Sequence, residues 1–100
     1  MRESEEARFM ELDKLASDFA QAQAMAEHLG EFRKSKKALL MKEAEVSGVK
    51  TAAIQERDAY AHKDYVALLH SLKDATEQAL ACKWKLELAR MRYPLPPILR

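Results

Sequence analysis

The sequence contains few of the residues that interrupt helices. It has two glycines and three prolines among 100 residues, and no proline occurs before Pro94. Glycine and proline are the residues that destabilise a helix interior most, so a chain that is poor in both can be helical over most of its length. The composition, with 48% hydrophobic residues, therefore predicts a globular all-α protein.

The sequence also lacks long hydrophobic runs, an excess of one charge and paired cysteines. No apolar run is long enough to cross a membrane, and a net charge of +1 creates no overall field for nucleic acid. The single cysteine, Cys82, cannot form an internal disulfide, and the acidic N-terminal residues do not resemble a signal peptide. We therefore expect a cytoplasmic protein with no membrane partner.

Residue types that catalyse reactions or bind cofactors show no recognisable spacing. His28, His62 and His70 belong to neither a His-x-x-x-His nor a Glu-x-x-His pattern. Cys82 occupies a position that suits a small core residue, and two glycines cannot build a phosphate-binding loop. The carboxylates alternate with bases, as they do on a solvated helix surface. The sequence predicts neither an enzyme nor a bound metal or cofactor.

One stretch near the middle of the chain predicts a turn between two helical arms. In the segment VSGVKT, residues 46 to 51, Gly48 can adopt a positive φ and Thr51 can cap the following helix. Ser4, followed by two acids, is typical of a helix start. We therefore expect a first arm that begins at Ser4 and ends near Gly48.

The second arm is expected over residues 51 to 93, with a kink near His62. Asp64 could cap a separate last helix there, so an alternative is that residues 51 to 61 form a short helix of their own. Three prolines in residues 94 to 100 predict a Pro-rich extended tail.

The second arm carries an apolar row with steps that alternate between three and four residues, which is typical of a coiled-coil seam. The row consists of Tyr65, Leu68, Leu72, Ala75, Ala79, Cys82, Leu86, Ala89 and Tyr93. When the chain is folded at Gly48, the residues opposite this seam are Phe32, Leu29, Met25 or Ala26, Ala22, Phe19, Leu15, Leu12 and Phe9, in that order. The same fold brings the acidic start of the chain beside its basic end. We therefore predict a long antiparallel helical hairpin, one domain over residues 1 to 93.

A second apolar row of the last helix, which we call the outer stripe, does not belong to the seam. It consists of Leu80, Trp84, Leu88 and Met91, at steps of four, four and three residues. A two-helix hairpin cannot cover this row, and leaving it in water would be unfavourable. We expect the cover to be the protein itself, as a second copy or as the folded-back tail, ahead of another protein. The outer stripe is thus the predicted interface, and a helical bundle of several copies is the predicted assembly.

Two groups of bases make single-stranded nucleic acid a less favoured partner. The run FRKSKK could follow a phosphate backbone, and two lysines flank Trp84, whose ring could stack on a base. The candidate nucleic-acid contacts are Arg33, Lys34, Lys36, Lys37, Lys83 and Lys85. The hairpin also brings Arg33, Lys34 and Lys37 near Asp64, Glu56 and Asp58. A solvated, partly paired helix face is therefore the simpler interpretation of the run.

The segments EFRKSKKALLMKEAE and AAIQERDAYAHKDYVALLHSLKDATEQALACKWKLELARMRY carry a pattern that consists of Tyr60, Tyr65, Leu69, Leu72, Lys83, Trp84 and Leu86. In this pattern, residues 31 to 93 resemble small helical proteins of unknown function from bacteriophages, prophages and other mobile elements. Proteins of that group continue as helix beyond the position of Tyr93, where this chain has Pro94. The resemblance implies an accessory role in phage or mobile-element biology, alongside DNA recombination or replication proteins, and it implies no catalytic residue.

These observations predict a non-catalytic helical interaction protein that self-associates through the outer stripe. A nucleic-acid-binding accessory factor in DNA recombination or replication is the alternative.

Overall fold

The computed structural model describes residues 2 to 93, with side chains from residue 4, as three helices in an antiparallel hairpin. Helix α1 is Arg2–Val46, α2 is Ala52–Ala61 and α3 is Lys63–Arg92. The molecule measures 71 × 22 × 14 Å, and α1 alone, at 1.5 Å per residue, accounts for about 68 Å of that length. The predicted all-α hairpin is confirmed, and the predicted tail, residues 94 to 100, lies outside the described residues.

Helix α1 is long because nothing in its sequence interrupts it. Its 45 residues include one glycine, Gly30, and no proline. It begins at Arg2, so the predicted start at Ser4 was wrong, because no helix breaker precedes that serine. Exposed pairs one turn apart, such as Lys14 Nζ and Asp18 Oδ2 at 2.9 Å, contribute only about 0.2–0.5 kcal/mol each. The stability of α1 therefore depends on packing against the returning helices.

Helix α1 ends at Val46 in a Schellman motif. The N–H of Gly48 donates to the carbonyl of Glu45 at 3.0 Å. The N–H of Val49 donates to the carbonyl of Ala44, also at 3.0 Å. These bonds occupy carbonyls that the end of a helix leaves free, and the motif needs a positive φ, which Gly48 supplies at 103°. The turn predicted at Gly48 is confirmed.

A buried glutamine connects the turn to α2. Gln55 Nε2 donates to the carbonyl of Val49 at 2.6 Å, and the backbone N–H of Gln55 donates to the carbonyl of Thr51 at 3.0 Å. Thr51 occupies the predicted N-cap position, but its side chain makes no capping hydrogen bond. The Gln55 side chain, which is 8% exposed, is therefore the group that fastens the turn.

Helices α2 and α3 are separate, as the alternative prediction allowed, and the break lies at His62. The backbone of His62 is extended, with φ −65° and ψ 136°. Its Nδ1 accepts a hydrogen bond from the N–H of Asp64 at 3.0 Å, so His62 caps α3. The prediction that Asp64 is the cap was wrong. Asp64 lies in the first turn, where a carboxylate favours the free N–H end of the helix.

At the open end of the hairpin, α3 finishes beside the early part of α1. Arg92 is its last residue, and Tyr93 leaves the helical conformation directly before Pro94, as expected for a residue that precedes proline. The guanidinium of Arg8 lies 5.4 Å from the centroid of the Tyr93 ring, and Arg92 Nη1 lies 3.6 Å from Glu11 Oε1. The predicted meeting of an acidic and a basic end is thereby confirmed.

The predicted seam of α3 faces α1. All nine of its members, from Tyr65 to Tyr93, are buried or half-buried. The half-buried partners on α1 are Leu12, Leu15, Phe19, Ala22, Ala26 and Leu29. Two of the predicted facing pairs, Leu15 with Cys82 and Phe19 with Ala79, each line a common groove.

Two predicted partners, Phe9 and Phe32, are exposed instead, to 73% and 42%, and of the alternatives Met25 and Ala26 it is Ala26 that is half-buried. The reason is that the buried row of α1 keeps a strict heptad register, in which Leu12, Phe19, Ala26 and Leu40 are separated by multiples of seven residues. Steps of three and four residues from Leu29 therefore lead to the buried Leu40 and bypass Phe32. Phe9 lies outside the same register, because steps of four and three residues before Leu12 and Leu15 lead to residue 8.

The turn end has its own small core. Leu40 of α1, Ala59 of α2 and Tyr65 of α3 form one buried cluster, with Met41 packed against it. The Tyr65 ring also contacts the Tyr60 ring edge-on, at 5.4 Å between centroids. Tyr65 thus joins all three helices instead of facing the predicted Phe32.

Replacing each glycine with alanine should change the free energy of unfolding in opposite directions. Within the described chain, a Cβ at either position meets no atom closer than 4 Å, so both effects are conformational. Gly48→Ala should lose about 1–2 kcal/mol because of the positive φ. Gly30→Ala, inside α1, should gain about 0.5–1 kcal/mol. Urea unfolding followed by far-UV circular dichroism measures both, and a Gly48→Ala protein as stable as the parent would contradict the turn geometry.

Candidate interaction surface

The outer stripe of α3 lies largely on the side of the helix away from α1, with Leu80 at the border of a groove that α1 also lines. The exposed fractions of Leu80, Trp84, Leu88 and Met91 are 50%, 61%, 60% and 77%. The seam and the stripe are interleaved in sequence, and at 3.6 residues per turn they fall on opposite sides of one helix. The described hairpin therefore leaves four large apolar side chains in water.

The exposed row extends beyond the stripe towards the start of α3. Val66 and Leu69 are 40% and 37% exposed and lie on the same side, because Leu69 is separated by eleven residues, or three turns, from Leu80. Between them lie Lys73 and Glu77, whose charged groups are 3.7 Å apart. We call these four residues together with the outer stripe the outer face. Sequence reasoning missed its first half, although the eleven-residue spacing was a signal for it.

The bases beside Trp84 are divided between two sides of α3. Lys83 Nζ lies 5.9 Å from the centroid of the Trp84 ring, and Lys83 lines a groove together with Phe19. Lys85 lines a different groove, which includes Leu15 and Cys82. Only Lys83 is thus placed to assist a ligand that stacks on the tryptophan.

Two bases of the FRKSKK run contribute to the hairpin interface. Lys37 Nζ lies 2.8 Å from Glu56 Oε1, as predicted, and Lys36 Nζ lies 3.8 Å from Asp64 Oδ2. Both lysines are half-buried. They take the interface positions between Leu29 and Leu40, where their aliphatic stems replace an apolar side chain.

The other two bases of the run, Arg33 and Lys34, are exposed. Lys34 Nζ lies 3.4 Å from Glu31 Oε1 of its own helix, and Asp58 contacts the neighbouring Arg57 at 3.6 Å. Of the three bases predicted to lie near acids across the hairpin, Lys37 forms an ion pair there, whereas Lys34 forms its ion pair within α1. Arg33 and Lys34 are the members of the run most accessible to a phosphate.

The Lys37–Glu56 contact is an ion pair that links α1 to α2. Its hydrogen bond, with a smaller contribution from Tyr60, holds the pKa of Lys37 well above its ordinary value. The same bond holds the pKa of Glu56 below its ordinary value. Lys37 Nζ also lies 4.7 Å from the centroid of the Tyr60 ring. Both groups therefore remain charged at neutral pH.

Helix α1 has an exposed apolar row of its own that sequence reasoning did not separate from the seam. Met25, Phe32, Leu39 and Val46 follow one another at intervals of seven residues, and all four are exposed. The His28 ring stacks on Phe32, with centroids 6.4 Å apart. Met25 lines the groove that contains Lys85, whereas Leu80 lines the one that contains Lys83. This row and the outer stripe thus lie on different flanks of the hairpin.

The side chains that could bind a metal or act as a nucleophile were also located in the described residues. Cys82 is buried in the seam, where Gln78 Nε2 lies 3.7 Å from its Sγ. In the part of the chain that the structure describes, no group of three or more His, Cys, Asp or Glu side chains could hold a metal ion. No helix between residues 2 and 93 has the length and hydropathy that a membrane span needs. No protein-family model, curated protein or solved structure matches the chain.

Loss of the Lys37–Glu56 contact in acid should make the protein less stable there than at neutral pH. The pKa of Glu56 is lowered from 4.5 in the folded state, so the contact of its carboxylate with Lys37 stabilises the fold above pH 4.5. This stabilisation is lost as the pH falls through the folded-state pKa of Glu56. The urea midpoint of Glu56→Gln should therefore fall less than that of the parent between about pH 6 and about pH 3. Lys37→Met, which removes the other partner, should reduce the pH dependence in the same way. Equal pH dependence in all three proteins would contradict this assignment.

Proposed function

We propose that this chain is a non-catalytic helical interaction protein that self-associates through the outer stripe of α3. The observation that carries the proposal is the exposure of Trp84, at 61%, in a row of apolar side chains on a helix whose other side is already packed. Moving a tryptophan and three aliphatic side chains out of water contributes several kcal/mol at about 25 cal/mol per Å². Exposed apolar rows of this kind usually mark a contact with another molecule.

The small size of the hairpin core supports the same proposal. The buried apolar residues of the described chain are Leu40, Ala59, Tyr65, Ala79, Cys82, Leu86 and Ala89. Several of them are alanines, which bury little surface, and a chain of this size has a thin margin between burial and chain entropy. A second hairpin packed on the outer stripe would add an apolar interface on the other side of α3 and bury surface that one hairpin leaves exposed.

The biological setting is a further part of this proposal. The resemblance of residues 31 to 93 supports an accessory role in a bacteriophage or mobile element, and the composition supports a cytoplasmic location. If another protein takes the place of the second copy, it would bind the same stripe, because the stripe is the apolar surface that the hairpin leaves exposed.

An accessory factor that binds nucleic acid in DNA recombination or replication is the second candidate. It is favoured by the open Trp84 ring with Lys83 Nζ 5.9 Å from its centroid, since aromatic and basic groups together bind single strands. It is disfavoured by the ion pairs of Lys36 and Lys37, because a phosphate would have to displace a carboxylate from each. We therefore place it behind self-association.

Substitution of the outer stripe should separate the copies without unfolding the hairpin. We expect Trp84→Ser with Leu88→Ser to reduce the mass in light scattering to that of one chain, because both side chains are exposed in the single chain. The helical signal in circular dichroism should be retained. The matched control is Phe32→Ser with Leu39→Ser, which removes two exposed side chains from the α1 row and should leave the mass of the assembly unchanged.

Two results would count against this surface. A parent protein with the mass of a single chain would exclude self-association. A mass that falls with the α1 substitutions and not with the α3 substitutions would move the interface to the row that contains Phe32.

The fluorescence of Trp84, the only tryptophan, should distinguish the two candidate functions. If a second copy covers the indole ring, the emission of Trp84 should be blue-shifted at high protein concentration and should move to the red on dilution. A single-stranded oligonucleotide at low salt should leave the emission unchanged. Quenching by the oligonucleotide that disappears as salt is added would instead support nucleic-acid binding. Lys83→Gln should then weaken the quenching, with Lys85→Gln, which is also exposed but on another side of α3, as the matched control.

A further inference from the structure

The outer face of α3 has a spacing that reads the same in both directions. Its members are Val66, Leu69, Lys73, Glu77, Leu80, Trp84, Leu88 and Met91, at steps of three, four, four, three, four, four and three residues. A two-fold symmetric contact requires a surface that is complementary to itself. In an antiparallel pair of such helices, every position of the row meets a position of the same row.

We infer that a second copy of the chain covers this face, an inference that rests on the proposed function. The α3 of the second copy lies antiparallel to the first, and the two are related by a two-fold axis beside residues 78 and 79. This pairing places Val66 of one copy opposite Met91 of the other, and Leu69 opposite Leu88. Val66 and Leu69 are 40% and 37% exposed in the single chain, so both are available for the contact. Each end of the interface then has two apolar pairs.

The charged residues in the middle of the outer face also find suitable neighbours. Lys73 of one copy lies opposite Trp84 of the other, where an ammonium group can rest on the face of the indole ring. Glu77 lies opposite Leu80, close to the axis, and its carboxylate stays 3.7 Å from Lys73 of its own helix. The two polar positions therefore do not leave an unpaired charge against apolar side chains.

The charge distribution along α3 selects the antiparallel orientation over the parallel one. The first part of the helix, residues 63 to 78, has two bases and three acids. The second part, residues 79 to 92, has four bases and one acid. An antiparallel pair brings each basic part beside an acidic one, whereas a parallel pair would align the two basic parts. The outer face of each α3 stays accessible because α1 packs on the opposite side of that helix.

Cysteine cross-linking tests this orientation on the full chain. The background is Cys82→Ala, which replaces a small buried side chain of the seam by another small one. In this background, a chain with both Val66→Cys and Met91→Cys should form covalent dimers with a short bismaleimide. Residues 66 and 91 of one chain are about 38 Å apart along the helix, so the linker cannot join them within one molecule. Chains with Val66→Cys alone or Met91→Cys alone should remain unlinked.

The other outcomes separate this inference from the proposed function on which it rests. Covalent dimers of the Met91→Cys chain alone would show a parallel pair and overturn the inference, while self-association through the outer stripe would stand. A non-covalent dimer in light scattering that gives no cross-link with any variant would place the contact on another face and overturn both. A mass of one chain for the uncross-linked parent would also overturn both.

Discussion

In a hairpin of two long helices, the single face that they share must hold the fold together. The seam of α3 meets this requirement with small side chains such as Ala79 and Ala89, which let the backbones approach, and with Leu86 and Tyr65, which fill the space between them. The shared face also fixes which residues remain outside. Because α3 has only α1 along most of its length in the described chain, every apolar residue opposite the seam is left in water, and Trp84 is the largest of them.

The two ends of the hairpin determine how these faces are aligned. The positive φ of Gly48 reverses the chain within a few residues, and Gln55 fastens the turn to α2. Ion pairs at the turn end and at the open end, such as Lys37 with Glu56 and Arg92 with Glu11, favour the observed orientation over others. Exposed pairs stabilise little, so their main effect is on orientation, while the amount of stability comes from the seam.

The features that sequence reasoning predicted are those with one physical solution. Gly48 was predictable because no other residue near the middle of the chain tolerates a positive φ. The His62 cap was not, because aspartate is the commoner cap and Asp64 lies two residues away. Phe32 was misplaced because it was assigned to the interface for its apolar character, although a second consecutive step of three residues after Leu29 leaves the heptad register. Val66 was overlooked as part of the outer face because Lys73 and Glu77 interrupt the apolar pattern.

Helix α3 presents two periods to its two sides, and this limits how it can pack. The seam repeats every seven residues, which favours a left-handed supercoil, whereas the outer face repeats every eleven, which favours a right-handed one. One helix cannot twist in both directions, so a nearly straight α3 is the conformation that serves both contacts. Any partner on the outer face would then compete with supercoiling of α3 around α1. The packing of the hairpin and the binding of a partner are therefore coupled through the shape of one helix.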